Sequence, residues 1–106
     1  MTAQEKVREI EELLKKQFKT REECERIAEL RDGLKVSDLF KVNDMADFTY
    51  DWAQRVLGYR TVYGSTICDK LEDAAKAGYI KFYQVRRYSQ FRTYCALTAK
   101  AKALLK

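Results

Sequence analysis

The spacing of apolar residues changes once along this chain of 106 residues, close to Gly78. Before Gly78 the apolar residues recur every three or four positions, which is typical of amphipathic helices. After it, YIKFYQV (79–85) and FRTYCAL (91–97) are rich in aromatic and β-branched residues, as β-strands are. Several helices followed by a pair of strands predict an α+β fold that is mainly helical.

Capping patterns divide the first half of the chain into helices. A Thr-x-x-Glu box begins at Thr2 and another at Thr20, and each satisfies amide groups at a helix start. They predict two helices within residues 1–33, with Gly33 as a left-handed stop. Ser37 is expected to cap a third short helix, and a strand is the alternative for that segment.

The second half has its own signals. Thr49 is expected to cap a short helix that stops at Gly58. An amphipathic helix is predicted over residues 62–77, because its apolar residues follow helical spacing. The polar, basic segment RRYSQ (86–90) is expected to join the two strands, and Thr98 to cap a closing helix.

Length and hydropathy limit the class of protein. A chain of 106 residues suits one domain with a single core. No apolar run approaches the ~18 residues that a membrane span requires. The N-terminal stretch is rich in acids and lacks the apolar segment of a signal peptide. We therefore expect an intracellular, cytoplasmic protein without a membrane partner.

Catalytic and metal chemistry find little support in the sequence. The chain has no histidine, and its three cysteines, Cys24, Cys68 and Cys95, are far apart. A zinc site requires clustered thiolates or imidazoles, and no nucleophile or phosphate-loop motif is present. We expect no metal, no cofactor and no enzyme activity. The cysteines are expected to be buried and reduced, as small apolar side chains.

Charge is distributed unevenly along the chain. Residues 1–50 carry ten basic and twelve acidic side chains, whereas residues 51–106 carry eleven basic and four acidic ones. Residues 79–106 contain seven basic side chains and no acidic one. A basic region of this kind favours a polyanionic partner such as nucleic acid.

Three local patterns resemble those of one protein family. YGSTICDKLEDAAKAGYI (63–80) is similar to a reading helix that leads into a strand, and the aromatic strands with a basic tip resemble a wing. TYCALTAKAKALL (93–105) resembles the exit that follows the wing in MarR and PadR regulators, although Ala101 stands where those families often carry glycine. Residues 49–105 therefore resemble a winged helix-turn-helix domain of a small transcription regulator.

The resemblance implies binding of double-stranded DNA. Helix 62–77 would enter the major groove, and the basic segment 86–92 would contact phosphates or the minor groove. Short polar side chains at the start of such a helix let the backbone approach base edges and phosphates. The acids of this helix, beginning with Asp69, depart from the expected pattern. The candidate DNA contacts are Arg60, Tyr63, Ser65, Thr66, Lys70, Arg86, Arg87, Tyr88, Gln90 and Arg92.

The N-terminal helices and the partner leave alternatives open. Because such regulators usually dimerise outside the reading unit, residues 1–33 are expected to form a homodimer arm. The alternative is that their apolar stripe simply covers the domain. For function, one alternative is a winged-helix module for protein interaction in a transcription or replication complex. Another is binding of RNA or single strands through the aromatic hairpin.

Overall fold

The computed structural model describes residues 1–105 and confirms an α+β fold of helices with small antiparallel sheets. No helix within this range has the length and the apolar content that a membrane span needs. The elements, in chain order, are α1 (Ala3–Leu14), α2 (Arg21–Asp32), α3 (Val36–Val42), β1 (Phe48–Thr49), α4 (Tyr50–Leu57), β2 (Arg60–Val62), β3 (Ser65–Ile67), α5 (Asp69–Lys76), β4 (Ile80–Arg87), β5 (Gln90–Leu97) and α6 (Ala99–Leu105).

Threonine hydroxyls cap several helices where the sequence predicts them. Oγ1 of Thr2 accepts the N–H of Glu5 at 3.2 Å, and Oγ1 of Thr49 accepts that of Trp52 at 3.2 Å. At Thr20 the box is complete, because its hydroxyl and the Glu23 carboxylate each accept from the other residue's backbone N–H. Each bond satisfies an amide that the helix itself leaves unpaired.

Two of the predicted helix limits are wrong in detail. The helix after residue 35 forms, but Ser37 lies inside its first turn. The Asp38 carboxylate accepts the N–H of Lys35 at 2.9 Å, so the helix begins at Val36. Gly33 has φ −88°, an ordinary right-handed value, because α2 ends in a tight turn rather than a left-handed stop.

The helix predicted over residues 62–77 is wrong in its first half. Residues 60–67 form the β2–β3 hairpin, and α5 begins only at Asp69. Tyr63 and Gly64 form its two-residue turn with φ 49° and 79°. Positive φ at both positions is the mark of a type I′ turn, which suits the twist of antiparallel strands. The register pairs Arg60 with Ile67, Thr61 with Thr66 and Val62 with Ser65.

Local chemistry explains why a hairpin replaces a helix there. Four of the six strand residues are β-branched, and their side chains lose rotamer freedom in a helix. Gly64 supplies the positive φ at the second turn position. The helical spacing of apolar residues corresponds to a helix only from Cys68 onward.

The β4–β5 hairpin has its root in the core and its tip in solvent. β5 lies between β1 and β4, and Ile80 pairs with Leu97 at the root. Both root residues are buried, whereas every side chain of residues 83–92 is exposed. The strands run further than predicted, so only Tyr88 and Ser89 remain in the turn.

One buried cluster contains residues from the N-terminal helices and the sheet alike. Val7 and Ile10 of α1 are fully buried in it, together with Phe40 and Cys95. The apolar stripe of α1 therefore covers the core, which is the alternative to its use as a dimer face. The members are Val7, Ile10, Leu30, Leu34, Val36, Leu39, Phe40, Phe48, Ala53, Val56, Leu57, Cys68, Leu71, Ile80, Cys95, Leu97 and Ala101.

The cysteines divide into two kinds. Cys68 and Cys95 are buried and free, as expected. Burial raises the pKa of both thiols, to about 12 for Cys95. The expectation is wrong for Cys24, which is exposed. Helix α2 presents Ile27 and Leu30 to the core, and Cys24 does not share their buried environment.

The Tyr50 hydroxyl connects α4 to the start of α5. It accepts the N–H of Cys68 at 2.9 Å and donates to Oε1 of Glu72 at 3.1 Å. Burial, together with the bond to Glu72, raises the pKa of Tyr50 to about 12. The junction between β3 and α5 is therefore held by a side chain of another helix.

Replacing this tyrosine should weaken the fold in a pH-dependent way. We expect Tyr50→Phe to lower the free energy of unfolding at pH 7 by about 1–2 kcal/mol, because the Cys68 N–H loses its partner. Urea unfolding followed by circular dichroism measures this change.

The same variant should alter the alkaline limb of stability. The folded-state pKa of Tyr50 is raised from 10.0 to about 12, so the unfolded chain loses its proton first. Stability of the natural chain should therefore fall as pH rises from 10 to 12. Tyr50→Phe should lose less stability across this window; an equal loss would show that Tyr50 does not titrate as described.

Candidate nucleic-acid interface

The structure distributes the ten candidate residues over two hairpins and one helix. The first group lies on the β2–β3 hairpin, one residue lies on α5, and the last group lies at the outer end of the β4–β5 hairpin. These groups are Arg60, Tyr63, Ser65 and Thr66, then Lys70, then Arg86, Arg87, Tyr88, Gln90 and Arg92.

The sequence predicts that Lys70 lies on an exposed side of its helix, and this prediction is wrong. Lys70 is half-buried, and its Nζ donates to the backbone oxygens of Arg31 and Leu34, both at 2.7 Å. Burial lowers the pKa of this ammonium. Lys70 thus satisfies carbonyl groups at the end of α2 and joins α5 to that helix. Its charge is already engaged within the chain.

Arg60 closes the base of the β2–β3 hairpin. Its Nε donates to both carboxylate oxygens of Asp69, at 3.1 Å and 2.9 Å, and this pairing raises the pKa of Arg60. The pair is exposed, so it contributes little to stability. The pair holds the first residue of β2 next to the first residue of α5.

The β4–β5 register separates Arg86 from Arg87. Arg86 lies opposite Phe91, and its guanidinium carbon is 5.7 Å from the centroid of that ring. Arg87 lies opposite Gln90 on the other face of the hairpin. Arg92 shares that other face and is a diagonal neighbour of Arg87. The tip therefore carries cationic side chains on both faces.

Ion pairs sort the basic residues into two groups. Most ion pairs of the described chain lie in α1, α2 and the loop between them, for example Arg26 with Glu9 at 3.1 Å. Within residues 1–105, Arg86, Arg87 and Arg92 take part in none. Their side chains are exposed, so this tip presents three arginine charges to solvent.

A polar groove beside this tip contains a residue that the sequence did not single out. Gln54 of α4 is 8% exposed, and its Oε1 has no hydrogen-bond partner within the described structure. A polar residue between Ala53 and Val56, on the inner side of a short amphipathic helix, is the signal that could have identified it. The groove is lined by Thr49, Tyr50, Asp51, Gln54, Gln90, Phe91, Arg92 and Thr93.

Each hairpin ends in an exposed tyrosine with a left-handed backbone. Tyr63 is fully exposed with φ 49°, and Tyr88 is 93% exposed with φ 60°. A bulky side chain at positive φ costs on the order of 1–3 kcal/mol and is found most often at functional sites. Asp44 and Met45, between α3 and β1, also have positive φ, so the tips are two of three such places within residues 1–105.

Comparison of the chain with protein-family models, with curated proteins and with solved structures found no match. Within residues 1–105, no group of three or more His, Cys, Asp or Glu side chains is placed to hold a metal ion. The case for a function therefore depends on the geometry and charge of the chain itself.

The inward position of Lys70 leads to a prediction that separates a structural lysine from a DNA contact. Lys70→Met should lower the free energy of unfolding by about 2 kcal/mol, because two carbonyl groups lose a charged donor. Lys76→Met, on the last turn of the same helix, should change it by no more than about 0.5 kcal/mol. Urea unfolding measures both. Equal stabilities for the two variants would contradict the structural role of Lys70.

Proposed function

We propose that this chain is a winged-helix protein that binds double-stranded DNA, as a transcription regulator. The order of elements supports the proposal. Helices α4 and α5 are followed by the β4–β5 hairpin, and β1, directly before α4, pairs with β5. A helix-turn-helix followed by a two-stranded wing has this order, and here a short hairpin occupies the connection between the two helices.

One observation carries the proposal: the outer end of the β4–β5 hairpin is cationic, and its three arginines take part in no ion pair within residues 1–105. Arg86, Arg87 and Arg92 are exposed, and residues 79–106 contain no acid. Phosphate oxygens are the partners that such a surface suits, and arginine also enters narrow minor grooves. Tyr88 and Gln90 add hydrogen-bonding groups at the same tip.

The acidic half of the chain supports the same orientation. The carboxylates of α1 and α2 would be repelled by a polyanion, so the DNA would lie against the hairpin side. Attraction to phosphates would account for affinity and position, and base contacts or DNA shape would supply any sequence preference.

The proposal predicts a steep salt dependence that the tip arginines carry. A 30-bp duplex should bind at ~50 mM salt, with log K falling against log[salt] at a slope of about −5 if six phosphates are neutralised. Arg86→Ala/Arg87→Ala should make the slope less steep by about 2. Fluorescence anisotropy of labelled duplex measures both quantities.

A control variant removes the same charge from the other end of the molecule. Lys15 and Arg21 have exposed side chains on the acidic half, so Lys15→Ala/Arg21→Ala should leave the slope unchanged. If the natural chain binds no duplex at ~50 mM salt, the proposal fails, because non-specific attraction should already be visible there. Equal effects of the two double variants on the slope would show that net charge, and not the position of the arginines, sets the salt dependence of binding.

The exposed aromatic side chains favour a second candidate, binding of single strands. Tyr88 and Phe91 are exposed beside the arginines, and bases of any sequence stack on such rings. Titration of one strand of the same 30-bp duplex separates the candidates. Tighter binding of the single strand would favour this second function over the first.

We include a homodimer in the proposal, with an interface outside the buried stripe of α1. Phe18, between α1 and α2, is 85% exposed and lies on the half that DNA would avoid. Sedimentation equilibrium should give twice the chain mass, and Phe18→Ser should reduce it to that of one chain. A natural chain that stays monomeric at ~100 μM would remove the dimer from the proposal.

A further inference from the structure

We infer that the β2–β3 hairpin, rather than helix α5, is the element that contacts base edges in the major groove of duplex DNA. This inference rests on the proposed function and names the reading element within it. Thr61, Thr66 and the ring of Tyr63 are the side chains that would make the contacts.

Helix α5 is poorly suited to a polyanionic groove. Its first turns carry Asp69, Glu72 and Asp73, while the ammonium of Lys70 is turned inward to the end of α2. Asp69 is paired with Arg60, and Glu72 accepts the Tyr50 hydroxyl. The N-terminal end of this helix therefore presents no free cation and at least one unpaired carboxylate, which phosphates repel.

The β2–β3 hairpin has the complementary properties. Residues 52–68 contain no acid. The register sets Thr61 opposite Thr66, and both side chains are exposed. Val62 and Ile67 lie on the opposite face, and both are half-buried. That face, which also carries the exposed Arg60 and Ser65, is thus partly packed against the chain. The Thr61–Thr66 face presents hydroxyl and methyl groups, which can contact any base and the thymine methyl group.

The dimensions of the hairpin agree with this role. A two-stranded ribbon fits the B-DNA major groove, which is about 12 Å wide. The tip stands clear of the rest of the protein: the Tyr63 side chain is fully exposed, and no atom lies within 4 Å of a Cβ built on Gly64. A duplex can therefore approach the tip without displacing any other element of the chain.

Tyrosine is an unfavourable residue for stability at the first position of this turn. Type I′ turns favour Asn-Gly, because asparagine tolerates positive φ, whereas a bulky side chain there is strained. Tyr63 has φ 49° and contributes nothing to the core. The base of the hairpin is meanwhile held by Arg60 with Asp69 and by Tyr50 with Cys68. An exposed ring at the tip of a hairpin whose first and last residues are held in place is suited to contact a partner.

The turn offers a substitution in which stability and binding should change in opposite directions. Tyr63→Asn restores the favoured Asn-Gly turn and removes the ring. We expect its thermal midpoint to equal or exceed that of the natural chain. Its affinity for duplexes that the natural chain selects from a randomised 30-bp pool should fall about tenfold. Thr66→Val keeps the β-branched shape and should change which sequences are enriched.

The matched control is Tyr59→Asn, which makes the same change just before β2 and outside the paired strands. Its affinity for the selected duplexes should remain within about twofold of the natural value. If Tyr63→Asn and Thr66→Val match the natural chain in affinity and in enriched sequences, the inference is overturned. The proposed function survives that result as long as Arg86→Ala/Arg87→Ala still weakens duplex binding. Absence of any duplex binding by the natural chain would overturn both.

Discussion

Phe48 is the residue on which the connection between the helices and the sheet depends. Its backbone pairs with Cys95 in β5. The centroid of its ring lies 4.4 Å from the ring centroid of Phe40 and 5.4 Å from that of Trp52. A strand of two residues could not stay paired by its own hydrogen bonds, so burial of this ring stabilises it. Together with Ile80, Cys95 and Leu97, Phe48 makes the root of the β4–β5 hairpin part of the core. The outer end of that hairpin can then extend into solvent and still keep a fixed direction.

Polar contacts around Cys68 hold the base of the β2–β3 hairpin against helices α4 and α5. The Tyr50 hydroxyl bonds to the backbone of Cys68 and to Glu72, and Arg60 bonds to Asp69 beside it. These bonds lie close together in space, and they join α4, β2 and α5. Both hairpins therefore have rooted bases and free tips, which is a useful arrangement for contacting a large partner.

Arginine side chains and a left-handed backbone meet at the outer end of the β4–β5 hairpin. Four basic residues of α1, α2 and the loop between them pair with carboxylates, whereas those at the outer end of β4–β5 take part in no ion pair within residues 1–105. Tyr63 and Tyr88 hold left-handed backbone conformations in the two-residue turns of their hairpins. Exposed arginines and a tyrosine with positive φ occur together at the β4–β5 tip, and this coincidence supports the proposed binding role.

The sequence by itself determined the helix starts at Thr2, Thr20 and Thr49, the switch to strands after Gly78 and the charge asymmetry. These features depend on interactions within a few residues, or on composition alone. It did not determine the conformation of residues 60–67, because apolar spacing there fits a helix, while β-branched residues and the Gly64 turn favour a hairpin. Only the tertiary structure decided that Lys70 turns inward and that Val7 and Ile10 serve the core. Each of these outcomes depends on partners distant in the sequence, such as Arg31 for Lys70, and periodicity carries no information about which distant element covers a face.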